Sequence, residues 1–262
     1  MTVRPALRVS RLAEIRDLVA GRGVLTVGEL TDRLGVSEAT VRRDLDALQA
    51  DGWVQRTHGG VVAAHPPLHE PPLPERHSRC ATEKTAIAEA AARMVTPGDT
   101  VFVGGGSTAL RLAEQLAHNH RVTVVTNSLP VANELSRAVA VEVIVIGGSL
   151  RTPELSMIGP RAVEAIRTYR AELAFLGVPA IDAVNGFTAD GDAEAATDTA
   201  FISMARRTVV LADHTKLGRV STTHVVPLST IVTVVTDDGA ATDVLERFRQ
   251  SGTQVVVAEV SR

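Results

Sequence analysis

The chain has 262 residues, 45% of them hydrophobic, enough to build one large folded domain or two smaller ones. A formal net charge of −3 excludes a globally basic nucleic-acid-binding protein, so any DNA contact must come from a local patch. A single cysteine, Cys80, excludes an internal disulfide, and no uninterrupted apolar run reaches the roughly 18 residues of a membrane span. With no charged-then-apolar leader after Met1, these features set the expectation of a cytoplasmic protein without a membrane partner.

The first sixty residues read as helices. In "RLAEIRDLV", Leu12, Ile15, Leu18 and Val19 recur at helical spacing on one face. "TVGELTDRLG" opens with Thr26 and carries Glu29 three residues later, the pattern of a reciprocal capping box, and closes at Gly35. "SEATVRRDLDALQADG" starts with Ser37 as N-cap, lines one face with Val41, Leu45 and Leu48, and stops at Gly52. Ala39, Arg42 and Arg43 then point away from that face with Thr40 beside them, where side chains can reach bases and phosphates in a major groove. "WVQRTHGGVV" follows as two short strands around Gly59 and Gly60. On composition alone this helical pair is compatible with DNA binding or with a small protein-interaction module.

Residues 63–79 hold five of the twelve prolines and no periodicity, which predicts an extended connector. The organisation is therefore a DNA-binding domain over 1–62, a linker over 63–79 and a larger domain over 80–262. The larger domain alternates strands and helices. "TVFVGG", "VTVVTNS", "VEVIVIGG", "LAFLGV", "TVVLAD", "IVTVVTD" and "TQVVVAE" are β-branched runs apolar on both faces, as buried parallel strands are. The fold class is α/β, with helices on both sides of a parallel sheet and ligands expected at the strand ends.

Several strand-end loops suit a polyol and a phosphate. "GGGST" offers backbone N–H groups at Gly105 and Gly106 and the hydroxyls of Ser107 and Thr108. Thr126, Asn127 and Ser128 end the next strand, and Arg151 follows the third. Glu194 precedes a helix, and "LADHTKLG" carries Asp213 and Lys216 after a strand. Lys216 is one of two lysines in the chain; the other, Lys84, reads as solvent-facing or near a pocket rim. Each has a blander reading as a turn, cap or solvated loop residue. Cys80, His118 and His120 show no metal-ligand pattern, so no metal or cofactor is expected.

"VSEATVRRDL" followed by "RTHGG" resembles the winged helix-turn-helix of the DeoR family of bacterial transcription regulators, and the resemblance continues to about Asp238. It implies an amino-terminal winged helix-turn-helix and a carboxyl-terminal parallel-sheet domain similar to ribose-5-phosphate isomerase and glucosamine-6-phosphate deaminase. By it, Ser37, Thr40, Arg42 and Arg43 belong to the DNA-reading helix. Arg56 and His58 belong to the wing, with His58 alternatively bracing the turn. The resemblance also implies operator DNA, a phosphorylated sugar and a homo-oligomer (dimer or tetramer) as partners, and repression of a carbohydrate operon.

The related isomerases carry acidic residues after the fourth core strand. Here Val178, Pro179 and Ala180 stand in that place and Asp182 comes too late, so a sensor rather than a catalyst is expected. Many members carry Asp where this chain has Gly104 and a further glycine near Pro179, which leaves the sugar's identity open. Two other readings stay open on sequence: an isomerase or deaminase with an appended DNA-binding module, and a constitutive DNA-binding protein with a ligand-blind oligomerisation domain.

Overall fold

The computed structural model describes residues 8, 11–12, 14–15, 18–19, 25–50, 54–57, 60–63, 72–119 and 121–260. Contacts divide the chain into two compact units, Met1–His69 and Glu70–Arg262.

In the amino-terminal unit the described residues between 8 and 19 are helical, followed by α1 (Val27–Leu34) and α2 (Glu38–Ala50). The Thr26 hydroxyl accepts the Glu29 N–H at 3.2 Å, and the Glu29 carboxylate accepts the Thr26 N–H at 2.7 Å, so the expected capping box forms. Gly35 ends α1 at φ 62°, the left-handed conformation that glycine adopts without a Cβ clash. Ile15, Val19, Leu30, Val41, Leu45 and Leu48 share one buried cluster with Val54 and Val61. The two strands, β1 (Val54–Thr57) and β2 (Gly60–Ala63), pair antiparallel. Leu25 adds an isolated antiparallel bridge to β2 that the sequence did not announce, exchanging both backbone hydrogen bonds with Val61 at 2.9 and 2.7 Å.

The carboxyl-terminal unit opens with α3 (Leu73–Ser78) and α4 (Ala81–Ala92). It continues through β3 (Thr100–Val103), α5 (Ser107–Asn119), β4 (Val122–Thr126), α6 (Leu129–Leu135) and β5 (Val141–Val145). A hairpin, β6 (Ser149–Arg151) and β7 (Ser156–Ile158), precedes α7 (Pro160–Ile166) and β8 (Ala171–Gly177). Then come β9 (Ala180–Asp182), β10 (Gly186–Ala189), α8 (Asp192–Met204), β11 (Ala205–Leu211), β12 (Thr223–Val226), β13 (Thr233–Asp237), α9 (Thr242–Gln250) and β14 (Gln254–Ala258).

All seven strands read from the sequence pair in one parallel sheet, in the order β14-β13-β11-β8-β3-β4-β5. Alternate residues face opposite cores. Val101, Val103, Leu173 and Phe175 pack with Ile87, Leu112, Leu116 and Val131 of α4, α5 and α6. Phe102, Ala174, Leu176 and Val210 pack with Ile166, Phe201 and Phe248 of α7, α8 and α9. A small antiparallel sheet, β12-β10-β9, and the β6–β7 hairpin lie outside the main sheet; their three- and four-residue strands are too short to show a period.

The expected extended connector over 63–79 is corrected at its carboxyl end. Leu73–Ser78 is helical, because a proline in the first turn removes an N–H that has no helical partner anyway. Residues 64–71 of that stretch lie outside the described residues.

Candidate functional site

On α2 the predicted face is exposed: Ser37, Ala39, Arg42 and Arg43 are open, and Thr40 is half-buried. The Ser37 and Thr40 hydroxyls lie 2.9 Å apart and shape the helix start. Arg42 donates to Glu38 one turn back at 2.6 Å. Arg43 has no ion pair or hydrogen bond among the described residues. Arg56 of β1 donates to Asp46 at 2.5 Å and to the Arg42 carbonyl at 3.3 Å, which ties the wing strand to α2. His58 lies outside the described residues. Sequence reading missed Asp44, which is buried and accepts from Arg11 at 2.6 Å, with Arg8 at 3.6 Å, anchoring the first helix to α2.

In the carboxyl-terminal unit the predicted loops meet at the ends of the parallel strands. Gly104 pairs through its N–H with the Phe175 carbonyl at 2.9 Å. Gly106, at φ 116°, turns the chain into α5, with Ser107 and Thr108 only 5% and 6% exposed. Neither hydroxyl has a hydrogen-bond partner among the described residues. The turn packs so closely on β8 that a Cβ at Gly177 would stand 2.9 Å from the Gly105 carbonyl oxygen. A Cβ at Gly104 would stand 2.9 Å from Leu176 Cδ2, so a larger residue there must first move that leucine.

Asn127 donates its Nδ2 to the Met157 carbonyl at 2.8 Å, while its Oδ1 is buried with no hydrogen-bond partner among the described residues. Ser128 bridges to Ser156, and its hydroxyl caps α6 by accepting from Val131. Thr126 is fully buried, and its hydroxyl accepts the Ser128 N–H. Arg151 lies 3.3 Å from Glu194, 3.6 Å from Glu154 and 3.8 Å from Asp190. Glu154, missed by the sequence reading, is 5% exposed and pairs with Arg76 of α3. Asp213 is buried; it accepts from the Thr215 N–H and hydroxyl and holds the short turn that carries the half-buried Lys216.

Lys84 is corrected. It is not solvent-facing but 3% exposed, and its ammonium donates to the Arg76 and Arg79 carbonyls at 2.5 and 2.7 Å. Burial lowers its pKa, against the pull of Asp213 at 4.0 Å. Lys84 thus clamps α3 onto α4 rather than awaiting a ligand.

Asp182 does not face a substrate position: it accepts from Val184 and Asn185 in its own turn. Burial raises its pKa, but these hydrogen bonds outweigh burial and hold it below the ordinary value. Beside the predicted Glu194, two acids not read from the sequence, Glu154 and Asp190, lie next to Arg151, and Asp198 is close enough to feel its charge. Loss of hydration first, then the charges of Glu194 and Glu154, push the Asp198 pKa well above the ordinary carboxylate range. A protonated Asp198 can donate a hydrogen bond to a hydroxyl.

That shift has a stability consequence. A carboxyl whose pKa rises on folding binds more protons folded than unfolded, so stability falls as pH climbs from the ordinary carboxyl range through the raised value. Asp198→Asn is expected to stabilise the protein at neutral pH, with the gain disappearing below about pH 4. Urea unfolding at both pH values checks it; an equal gain at each removes the ionisation as cause.

Among the described residues no group of three or more His, Cys, Asp or Glu is placed to hold a metal ion, and no helix is long and apolar enough to cross a membrane. The DeoR C terminal sensor domain family matches residues 79–238, and the DeoR-like helix-turn-helix domain family matches residues 11–66. This protein belongs to the DeoR family of transcriptional regulators. Among DeoR-family relatives, the HTH-type regulator YgbI of Escherichia coli K12 is 33% identical, over 88% of this chain and 90% of its own. The putative aga operon transcriptional repressor of Escherichia coli O157:H7 is 30% identical over 95% of each. The lactose phosphotransferase system repressor of Lactococcus lactis is 32% identical over 92% of this chain and 95% of its own. Among solved structures, ribose 5-phosphate isomerase A of Methanocaldococcus jannaschii overlaps 51% of this chain and 52% of its own, with 17% identity and a TM-score of 0.38. The sheet order above, and not that overlap, establishes the fold.

Proposed function

We propose that this DeoR-family regulator represses a carbohydrate operon and releases its operator when a phosphorylated sugar binds at the strand-end site. The reading rests on one observation above all: a chain matching both family domains carries on α2 an exposed Arg43 with no partner among the described residues, and a strand-end site with hydroxyls, amides and cations. Relatives named as repressors of the aga and lactose phosphotransferase systems support the carbohydrate assignment. Hydroxyl recognition falls to Asn127, Glu194 and Asp198, and anion recognition to the Gly105–Thr108 turn with Lys216 and Arg151. Operator binding proceeds as a cytoplasmic homo-oligomer whose copies match half-sites one helical turn, or a multiple, apart.

A thermal-shift screen of pentose and hexose phosphates tests the reading. A ligand at about a hundred times its Kd adds about 2.7 kcal/mol of stability by mass action. Lys216→Ala is expected to remove most of that shift while leaving the unliganded melting temperature near the wild-type value. Turnover of any sugar phosphate in the screen would instead favour an isomerase, and a flat screen a ligand-blind oligomerisation domain.

A further inference from the structure

We propose that Glu154 is a built-in occupant of the anion seat: its side chain covers the Gly105–Gly106 turn where the effector's phosphate goes, and phosphate binding displaces it and releases Arg76. The proposal rests on the reading above that this turn takes a phosphate. A Cβ at Gly105 would stand 3.2 Å from Glu154 Cγ and 3.6 Å from its Oε1, and a Cβ at Gly106 would stand 3.7 Å from the same oxygen. A carboxylate of the chain therefore already lies against the glycines whose openness marks an anion site.

Of its two arginine partners, Arg151 is the one that a phosphate on the turn would recruit. Arg76 pairs with Glu154 from α3, and Arg151 stands at 3.6 Å. Guanidinium forks bind phosphate as readily as carboxylate, and a phosphate brings more charge and more acceptor oxygens. The exchange thus leaves Arg151 with an anion. A neutral sugar brings no anion to exchange, so Glu154 makes the site answer to the phosphorylated form. Glu154 is in this sense a specificity-determining residue.

The turn that carries it is strained and tied to α3. Leu155 sits at φ 53°, a conformation costly for a residue with a Cβ. The Leu73 N–H donates to the Pro153 carbonyl at 2.9 Å, so α3 is tied to this turn by its backbone and by the Arg76–Glu154 pair. In the chain, α3 is the first described element after residues 64–71, which join it to the helix-turn-helix unit. Displacing Glu154 breaks the side-chain tie and loosens the start of the sensor unit. Such a device couples two sites only because the ligand favours the arrangement without Glu154 on the turn.

The test titrates inorganic phosphate into the full-length wild type, Glu154→Gln and Glu154→Asp, followed by calorimetry and by hydrogen exchange of residues 72–78. Glu154→Gln is expected to bind phosphate about tenfold more tightly, the strength of one competing charge-assisted hydrogen bond. Glu154→Asp keeps the charge but withdraws it from the turn, and is expected to gain affinity too. In the wild type, the amides of Leu73 and of residues 75–78 exchange faster with phosphate bound; in Glu154→Gln they are already fast without it. Exchange of the seven-stranded sheet in the same samples reports folding, and if Glu154→Gln does not fold, Glu154→Asp decides. Wild-type binding with no gain in the variants, or with slower exchange of 72–78, overturns the proposal alone. Phosphate binding to none of the three overturns the site reading and the proposal together.

Discussion

Arg43→Ala is expected to weaken operator binding by about 1–3 kcal/mol, roughly ten- to a hundredfold, and Arg42→Ala by less. The difference follows from their neighbours. Arg42 already pairs with Glu38 at 2.6 Å, so bringing it to DNA gives up that exposed pair, while Arg43 has no pair among the described residues to give up. Both project from the first half of α2, on the side opposite Val41, Leu45 and Leu48, which are buried. Neither change touches the core, so stability should hold within about 0.5 kcal/mol. The measurement is a binding titration on duplexes selected by the full-length protein, at several salt concentrations. An arginine on a phosphate lowers the salt slope by about one, whereas an arginine on a base relaxes sequence preference at an unchanged slope. Unchanged binding of the double variant at moderate salt would sink the DNA role of this face.

The second large effect is on stability. Arg76 and Glu154 are both at or below 8% side-chain exposure and pair across the carboxyl-terminal unit. Removing one member of a buried pair leaves the other charge without its main compensation, at a cost of about 3–5 kcal/mol. Arg151 at 3.6 Å softens the loss, which places Arg76→Ala near about 3 kcal/mol. For a domain of this size that lowers the melting temperature by about 10 °C. A double variant, Arg76→Met with Glu154→Leu, removes both charges and is expected to be less destabilised than either single loss would suggest. If Arg76→Ala melts within a degree or two of the wild type, the pair contributes little and α3 is held by Leu73 and Lys84 instead.

The seven core strands were legible because each is a Val-rich run apolar on both faces. The helix-turn-helix was legible because Thr26, Glu29, Gly35 and Ser37 stand where caps must stand. What hid was of two kinds. The short antiparallel strands carry too few residues for a period, and α3 hid behind prolines that a first helical turn accepts. The charged heart of the site hid for a different reason. Arg76 and Glu154 are 78 residues apart, and nothing local marks either as buried. Asp198 did leave a signal: it follows Glu194 by one helical turn on α8, so the two carboxylates share a face, and after burial the charge of Glu194 helps to raise the pKa of Asp198. The predicted loops do converge at the strand ends. Glu194 and Asp213 were read from the sequence as acids of the strand-end loops; Glu154, Asp190 and Asp198, which the turn after β6, the end of β10 and α8 bring in, were not.

The clamp made by Lys84 has a chemical corollary. The chain contains two lysines, and one of them spends its ammonium on two carbonyls in the interior. Of the two lysine side chains, acylating reagents therefore meet on the folded chain the half-buried one of Lys216. A regulator so poor in lysine carries a near-unique address for amine chemistry, and that address lies beside the strand-end loops.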